Sequence, residues 1–227
     1  MRKFTARPIA RVLFLRPFAI VVILAGLFVA GPPKSVTAQT PGVDLLTNGD
    51  FEAWDYGAGH WPMMWGIPEV QICPGWQAFW VQDAPEEAPM QENWKRPEFR
   101  DVKVSEASYR VRSGNLAQKY FSFGGQHIAG IYQQVSGITP GTTLRFGAYM
   151  QTWGCMAGDQ GWNICPTGHT SNSPSPFHTR VGIDPTGGTS PGAATVVWGA
   201  EAEAYDQWAH FQVEAVAQNS TVTAFTY

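Results

Sequence analysis

Charge is scarce in this chain: 15% of its 227 residues are charged, against about a quarter in an average globular protein. With 44% apolar and 13% aromatic residues, that excludes a disordered polymer and a basic nucleic-acid-binding tail. Cysteine is scarcer still. There are three and no CxxC pair, which argues against the common structural zinc sites. No long stretch places apolar residues at i, i+3, i+4 and i+7, so a helical bundle is excluded. H-E-x-x-H and G-x-S-x-G are both missing, and His60, His127, His169, His178 and His210 sit in no nucleophile signature. Glu86 with Glu87, and Glu201 with Glu203, lie in no motif that would set two carboxylates across a cleft. The chain is therefore not expected to be an enzyme. Glycine and proline, 24 and 17 residues, are plentiful but follow no period, which rules out a collagen-like repeat.

What is present begins with an export signal. Arg2, Lys3, Arg7, Arg11 and Arg16 precede the uncharged apolar run Pro17 to Val29, and Val36-Thr37-Ala38 offers small residues at a cleavage site. This is the pattern of a secretory signal peptide over residues 1–38, and the apolar run is short for a membrane span, which needs about 20 residues. Cleavage after Ala38 leaves 189 residues. The removed segment holds six of the 15 basic residues and no acidic one, so the mature chain carries nine basic and 18 acidic residues, a formal charge of −9. Such a surface repels phosphate backbones, so no nucleic-acid partner is expected. Residues 39–227 fit one domain, secreted or held at the cell surface.

The mature part reads as short alternating segments between turn residues. In Thr143 to Trp153, Leu144, Phe146, Ala148 and Met150 share one face, while Arg145, Tyr149, Gln151 and Trp153 share the other. Gly130–Ile138 precedes it, joined by the turn Thr139-Pro140-Gly141-Thr142. Further strands are predicted at Trp76–Gln82, Phe99–Val104, Tyr109–Arg112, Gln118–Phe123, Thr179–Asp184, Thr195–Trp198, Trp208–Ala217 and Thr221–Tyr227. An all-β antiparallel sandwich of jelly-roll type is the economical architecture. Gly154–Phe177 is its one long loop. Cys155 and Cys165 lie within it, ten residues apart, and in an exported chain this spacing reads as a loop-closing disulfide. Closure of so short a loop is worth roughly 2–3 kcal/mol. Cys73 is left over: buried, exchanging with a loop cysteine, or pairing between chains.

Leu45 to Trp54 (LLTNGDFEAW), Pro74-Gly75-Trp76, Val111 to Asn115 and Gly130 to Tyr149 (GIYQQVSGITPGTTLRFGAY) together resemble carbohydrate-binding modules of families 4, 9 and 22, within the galactose-binding-like jelly rolls. Val181 to Gly188 (VGIDPTGG) and Tyr205 to Trp208 (YDQW) look like secreted bacterial proteins that carry one such module. The resemblance implies a sandwich that binds a polysaccharide or glycan without chemistry. It also implies a structural calcium ion near Asp50 and Glu52, in the opening motif. Such modules usually end on a further strand with a W-D-D-like pattern, whereas this sequence stops at Tyr227. The expectation is an open sheet edge prone to edge-to-edge association.

Sugars present flat C–H faces and many hydroxyls, which exposed aromatic rings and planar polar groups recognise. The candidate ligand-binding residues are Tyr149, Gln151 and Trp153 on the alternating strand, Tyr132 and Gln134 on the preceding one, Arg180 on a later one, and Trp162 inside the cysteine loop. Trp61 and Trp65 are further candidates for exposure, while Trp76, Phe146 and Phe211 are expected in the core. Two alternatives stand beside this reading. Tyr149 and Trp153 build a second core beneath the long loop, or the sandwich is a structural or adhesive domain whose Trp-rich loops anchor protein contacts.

Overall fold

A computed structural model describes residues 43–53, 61–81, 96–122, 125–155, 170–172 and 177–227. The chain divides into two units, Met1–Ser35, which lies outside the described residues, and Val36–Tyr227. The second is an antiparallel β-sandwich. Its strands are β1 (Gln77–Trp80), β2 (Glu98–Lys103), β3 (Leu116–Phe121), β4 (Ala129–Ser136), β5 (Thr143–Met150), β6 (Val181–Asp184), β7 (Val197–Trp198), β8 (Ala209–Val216) and β9 (Thr221–Thr226). One sheet has five strands in the order β1-β4-β9-β6-β7, and the pairs β2-β3 and β5-β8 form two smaller sheets.

Period-two alternation decides which side chains enter the core. Phe146, Ala148 and Met150 of β5 and Phe211, Val213 and Ala215 of β8 face inward, against Ala78, Ile131, Ala224, Val181 and Ile183 of the five-stranded sheet. The register fixes this, with Phe146 opposite Val213 and Ala148 opposite Phe211. Trp76, Phe146 and Phe211 are buried, as expected. The turn before β5 also has its expected chemistry. Pro140 and Gly141 occupy its centre, Gly141 at φ +92°, and the Thr142 N–H donates to the Thr139 carbonyl at 3.1 Å.

Three expectations change. Tyr109–Arg112 is not a strand. Residues Val104–Ala107 form a short helical turn, α1, and Ser108–Arg110 continue as a 3-10 turn. There the Arg110 side chain is buried and the chain must bend to bury it. Trp61 is wholly buried rather than exposed, its indole N–H donating to the Ala53 carbonyl at 2.7 Å. The last strand is not a sheet edge: β9 lies between β4 and β6 and pairs with both. The edge strands of that sheet are β1 and β7.

The opening motif is docked by side-chain amides. Gln133 on β4 accepts the Thr47 N–H at 2.7 Å and returns its own N–H to the Thr47 carbonyl at 2.8 Å. Asn48 turns the chain with the Phe51 N–H on its carbonyl, and the Trp76 indole donates to the same oxygen.

Candidate functional site

The predicted ligand-binding residues fall on two different sheets. Tyr132, Gln134 and Arg180 belong to the five-stranded sheet and its immediate flank. Tyr149, Gln151 and Trp153 belong to β5 and the segment after it. They do not form one groove. Trp162 lies outside the described residues.

On β5, the rings are taken up by the protein's own cations. The Arg112 guanidinium sits 3.4 Å from the centre of the Tyr149 ring, and the His210 ring lies 4.8 Å from it. Arg110 sits 4.3 Å over Trp153 and 5.2 Å over Tyr109, while bonding Gln151 at 3.0 Å and Asp206 at 3.4 Å. Burial lowers the Arg110 pKa, and Asp206 acts against that shift. Asp206 in turn accepts both the backbone N–H and the hydroxyl of Ser171, at 2.7 and 3.0 Å. This network fastens the root of the long loop. It leaves Gln151 and Trp153 committed to Arg110.

The outer face of the five-stranded sheet is different. Strand alternation puts Phe79, Tyr132, Phe225 and Trp198 on it, opposite the core. Phe225 is fully buried beneath neighbouring rings, with centroids 6.0 Å from Phe79, 5.7 Å from Tyr132 and 6.0 Å from Trp198. Glycines make room for the layer. A Cβ on Gly130 would meet the Phe79 ring at 2.7 Å, and one on Gly182 would meet the Trp198 ring at 2.6 Å. Arg180 caps one end, 4.7 Å over Trp198 and 4.5 Å over Tyr227, and pairs with Glu201 at 3.6 Å. Gln134 is exposed and donates to the Gly187 carbonyl at 2.8 Å.

At the other end, beside the edge strand β1, the aromatic layer opens into a cleft of about 460 Å³. Phe79 and Tyr132 line it, Trp65 and Trp80 stand on one side, and Thr189 is on the other. The Tyr132 hydroxyl donates to Gln77 Oε1 at 2.7 Å. Burial raises the Tyr132 pKa, and a hydrogen bond with Thr189 opposes the rise. Trp65 is 63% exposed, so of the two flanking tryptophans predicted to be exposed only this one is. Sequence reasoning missed Phe79, Trp198 and Phe225. The alternation Thr223-Ala224-Phe225-Thr226-Tyr227 could have found the last, but the partner strands could not be assigned without the fold.

Glu52 and Asp50 are engaged with backbone donors. Glu52 accepts the N–H groups of Asn115 and Leu116 at 2.7 and 3.0 Å and the Asn115 side-chain amide at 3.3 Å. Asp50 accepts the Glu52 N–H at 3.3 Å. A calcium ion there would share the Glu52 oxygens with three N–H donors, and no cluster of three or more Asp, Glu, His or Cys ligands occurs among the described residues. Cys155 is disulfide-bonded and Cys73 is a buried free thiol, while Cys165 lies outside the described residues. Burial, with Asp50 and Glu52 nearby, pushes the Cys73 pKa up to about 12. No helix among the described residues is long and apolar enough to cross a membrane. Comparison of the chain with protein-family models, curated proteins and solved structures finds no match.

Proposed function

We propose that this is an exported, non-catalytic β-sandwich domain that binds carbohydrate through the outer face of its five-stranded sheet. The observation that carries the reading is the aromatic layer on that face. It opens beside β1 into a cleft edged by an exposed tryptophan and by polar groups able to meet hydroxyls. A solvated sheet face normally carries polar side chains. Rings arranged on it at the mouth of a cleft fit a ligand with flat apolar faces.

The absence of chemistry fits the described carboxylates, which are structural. Asp184 holds Thr186 and Thr195, Asp206 holds Arg110 and Ser171, Glu52 holds Asn115, and Glu203 accepts the Phe177 N–H at 3.1 Å. The export signal and the paired cysteine place the domain outside the cytoplasm on this reading. A calcium ion at Asp50 and Glu52 would serve stability and not recognition, since the outer-face residues lie on other strands.

The test is thermal unfolding by tryptophan fluorescence with a panel of soluble glycans. A ligand at 100 times its dissociation constant adds about 2.7 kcal/mol, enough to move the melt visibly. The expected result is a rise with one glycan class. A melt that no glycan moves, with concentration-dependent self-association, would replace this reading by the adhesive one.

A further inference from the structure

Trp65 is out of keeping with its surroundings. Trp61 and Trp76 are buried, whereas Trp65 is 63% exposed on a left-handed backbone, φ 54° and ψ 23°. A bulky residue rarely adopts that conformation, and it persists only where the surroundings over-determine it. Here they do. The 3-10 turn Met64–Gly66 is closed beneath by Met64 N–H to the Val70 carbonyl at 2.8 Å and Ile67 N–H to the Met64 carbonyl at 3.0 Å. The Met64 thioether accepts the Ala78 N–H of edge strand β1 at 3.5 Å. The indole stands edge-on to Trp80, with centroids 5.4 Å apart. The turn therefore holds the ring out at the cleft instead of letting it fold into the core.

The opposite wall is also fixed. Asp184 is fully buried, and its carboxylate accepts the Thr186 N–H at 2.8 Å, the Thr186 hydroxyl at 2.6 Å and the Thr195 hydroxyl at 2.9 Å. These bonds pin the loop that brings Thr189 to the cleft. Between the walls, Thr189 bonds the Tyr132 hydroxyl, which donates to Gln77 Oε1. The Gln77 amide nitrogen is then left with two donors and no partner among the described residues. Arg96, the cation nearest this lining, stacks 5.9 Å from Trp80 and is paired with Glu69 at 3.4 Å. None of the side chains lining the cleft is charged.

We propose that this cleft is a subsite for an uncharged pyranose unit, with Trp65 as the stacking platform and the Gln77 amide as the donor to a sugar oxygen. The inference rests on the carbohydrate reading above and adds to it a place and a ligand class. A C–H face of the sugar packs on the indole, whose ring carries partial negative charge. A uronate would bring a carboxylate to a lining that holds no cation, on a mature surface of net negative charge, and its desolvation would go uncompensated. The volume lies toward the small end of ligand sites, which span roughly 300–1,000 Å³. The cleft therefore takes a short stretch of a chain.

The experiment is calorimetric titration of the full chain with cellohexaose, xylohexaose and mannohexaose as neutral probes and hexagalacturonate as the acidic one. The variants are Trp65→Ala, Trp65→Phe and Gln77→Ala, with Tyr109→Phe as an off-site control, each checked by its melt. One neutral hexamer is expected to bind. Trp65→Ala should weaken it by about tenfold or more, the scale of a lost anchor ring. Trp65→Phe should restore most of that loss, Gln77→Ala should weaken binding without altering the melt, and Tyr109→Phe should leave it unchanged. Neutral binding that Trp65→Ala leaves within about twofold would overturn the subsite while sparing the carbohydrate reading. Tighter binding of hexagalacturonate would overturn the ligand class. No binding of any probe, with no glycan moving the melt, would overturn both.

Discussion

The Trp198 indole stands directly over Gly182 of the neighbouring strand, where a Cβ would come within 2.6 Å of its ring. That contact places Trp198 against Phe225 and beneath Arg180, so one missing side chain supports the outer aromatic layer. Gly182→Ala must push the ring aside. The expected cost is about 1–3 kcal/mol, the range for overpacking. Equilibrium denaturation reads it, and a Gly182→Ala, Trp198→Ala double variant should cost less than the sum of the two singles.

The neighbouring ion pair gives a second prediction. Arg110 is buried, with 6% of its side chain exposed, while Asp206 is 23% exposed. Asp206→Ala strands that guanidinium and releases Ser171 at the root of the long loop. Removing one partner of a buried pair costs about 3–5 kcal/mol, with the lower end expected here because Asp206 is partly solvated. Asp206 also has φ 55°, which asparagine tolerates well. Asp206→Asn should therefore fall between Asp206→Ala and wild type in a denaturant melt. Equal stability of Asp206→Ala and wild type would remove the structural role assigned to the pair.

The pH dependence of stability has a definite sign at His127. Burial lowers its pKa below the ordinary value, and its Nδ1 lies 2.9 Å from the Ser122 hydroxyl. As pH falls through about 6.5, the unfolded chain takes up a proton that the folded chain does not, so stability drops. The drop continues until the folded-state pKa is reached. His127→Gln should flatten the melting temperature between pH 7 and pH 5 relative to wild type. A wild-type slope that survives the substitution would assign the effect to other groups.

Much of the sandwich was legible in the sequence because β5 and β8 alternate cleanly and pair along their whole length. The β4–β5 turn was legible for the same local reason, Pro140 followed by Gly141. What the sequence hid is long-range. Gln133 reads as a polar residue in a strand, yet it docks Thr47 from 86 positions away. Tyr149 and Trp153 alternate as a binding face would, but Arg112 and Arg110 arrive from the turn after α1 and occupy their rings. Trp61 and Trp65 have similar local sequence. One points into the core and the other outward because a left-handed turn lies between them and β1.

Cysteine chemistry supplies the last prediction. Cys73 is wholly buried, and its thiol, with a pKa pushed up to about 12, stays protonated at neutral pH. The reactive form is the thiolate, so iodoacetamide should label Cys73 only in denaturant. Cys155 is already bonded. Peptide mapping without reduction is expected to recover Cys155 joined to Cys165, and Cys73 alkylated after unfolding. Reduction should then lower the melting temperature by an amount consistent with about 2–3 kcal/mol, the closure entropy of so short a loop. Recovery of Cys73 in a peptide linked to either loop cysteine would overturn the pairing. It would also contradict the burial of Cys73, because a thiol held in the core beside Trp76 cannot reach a surface loop without opening the sandwich.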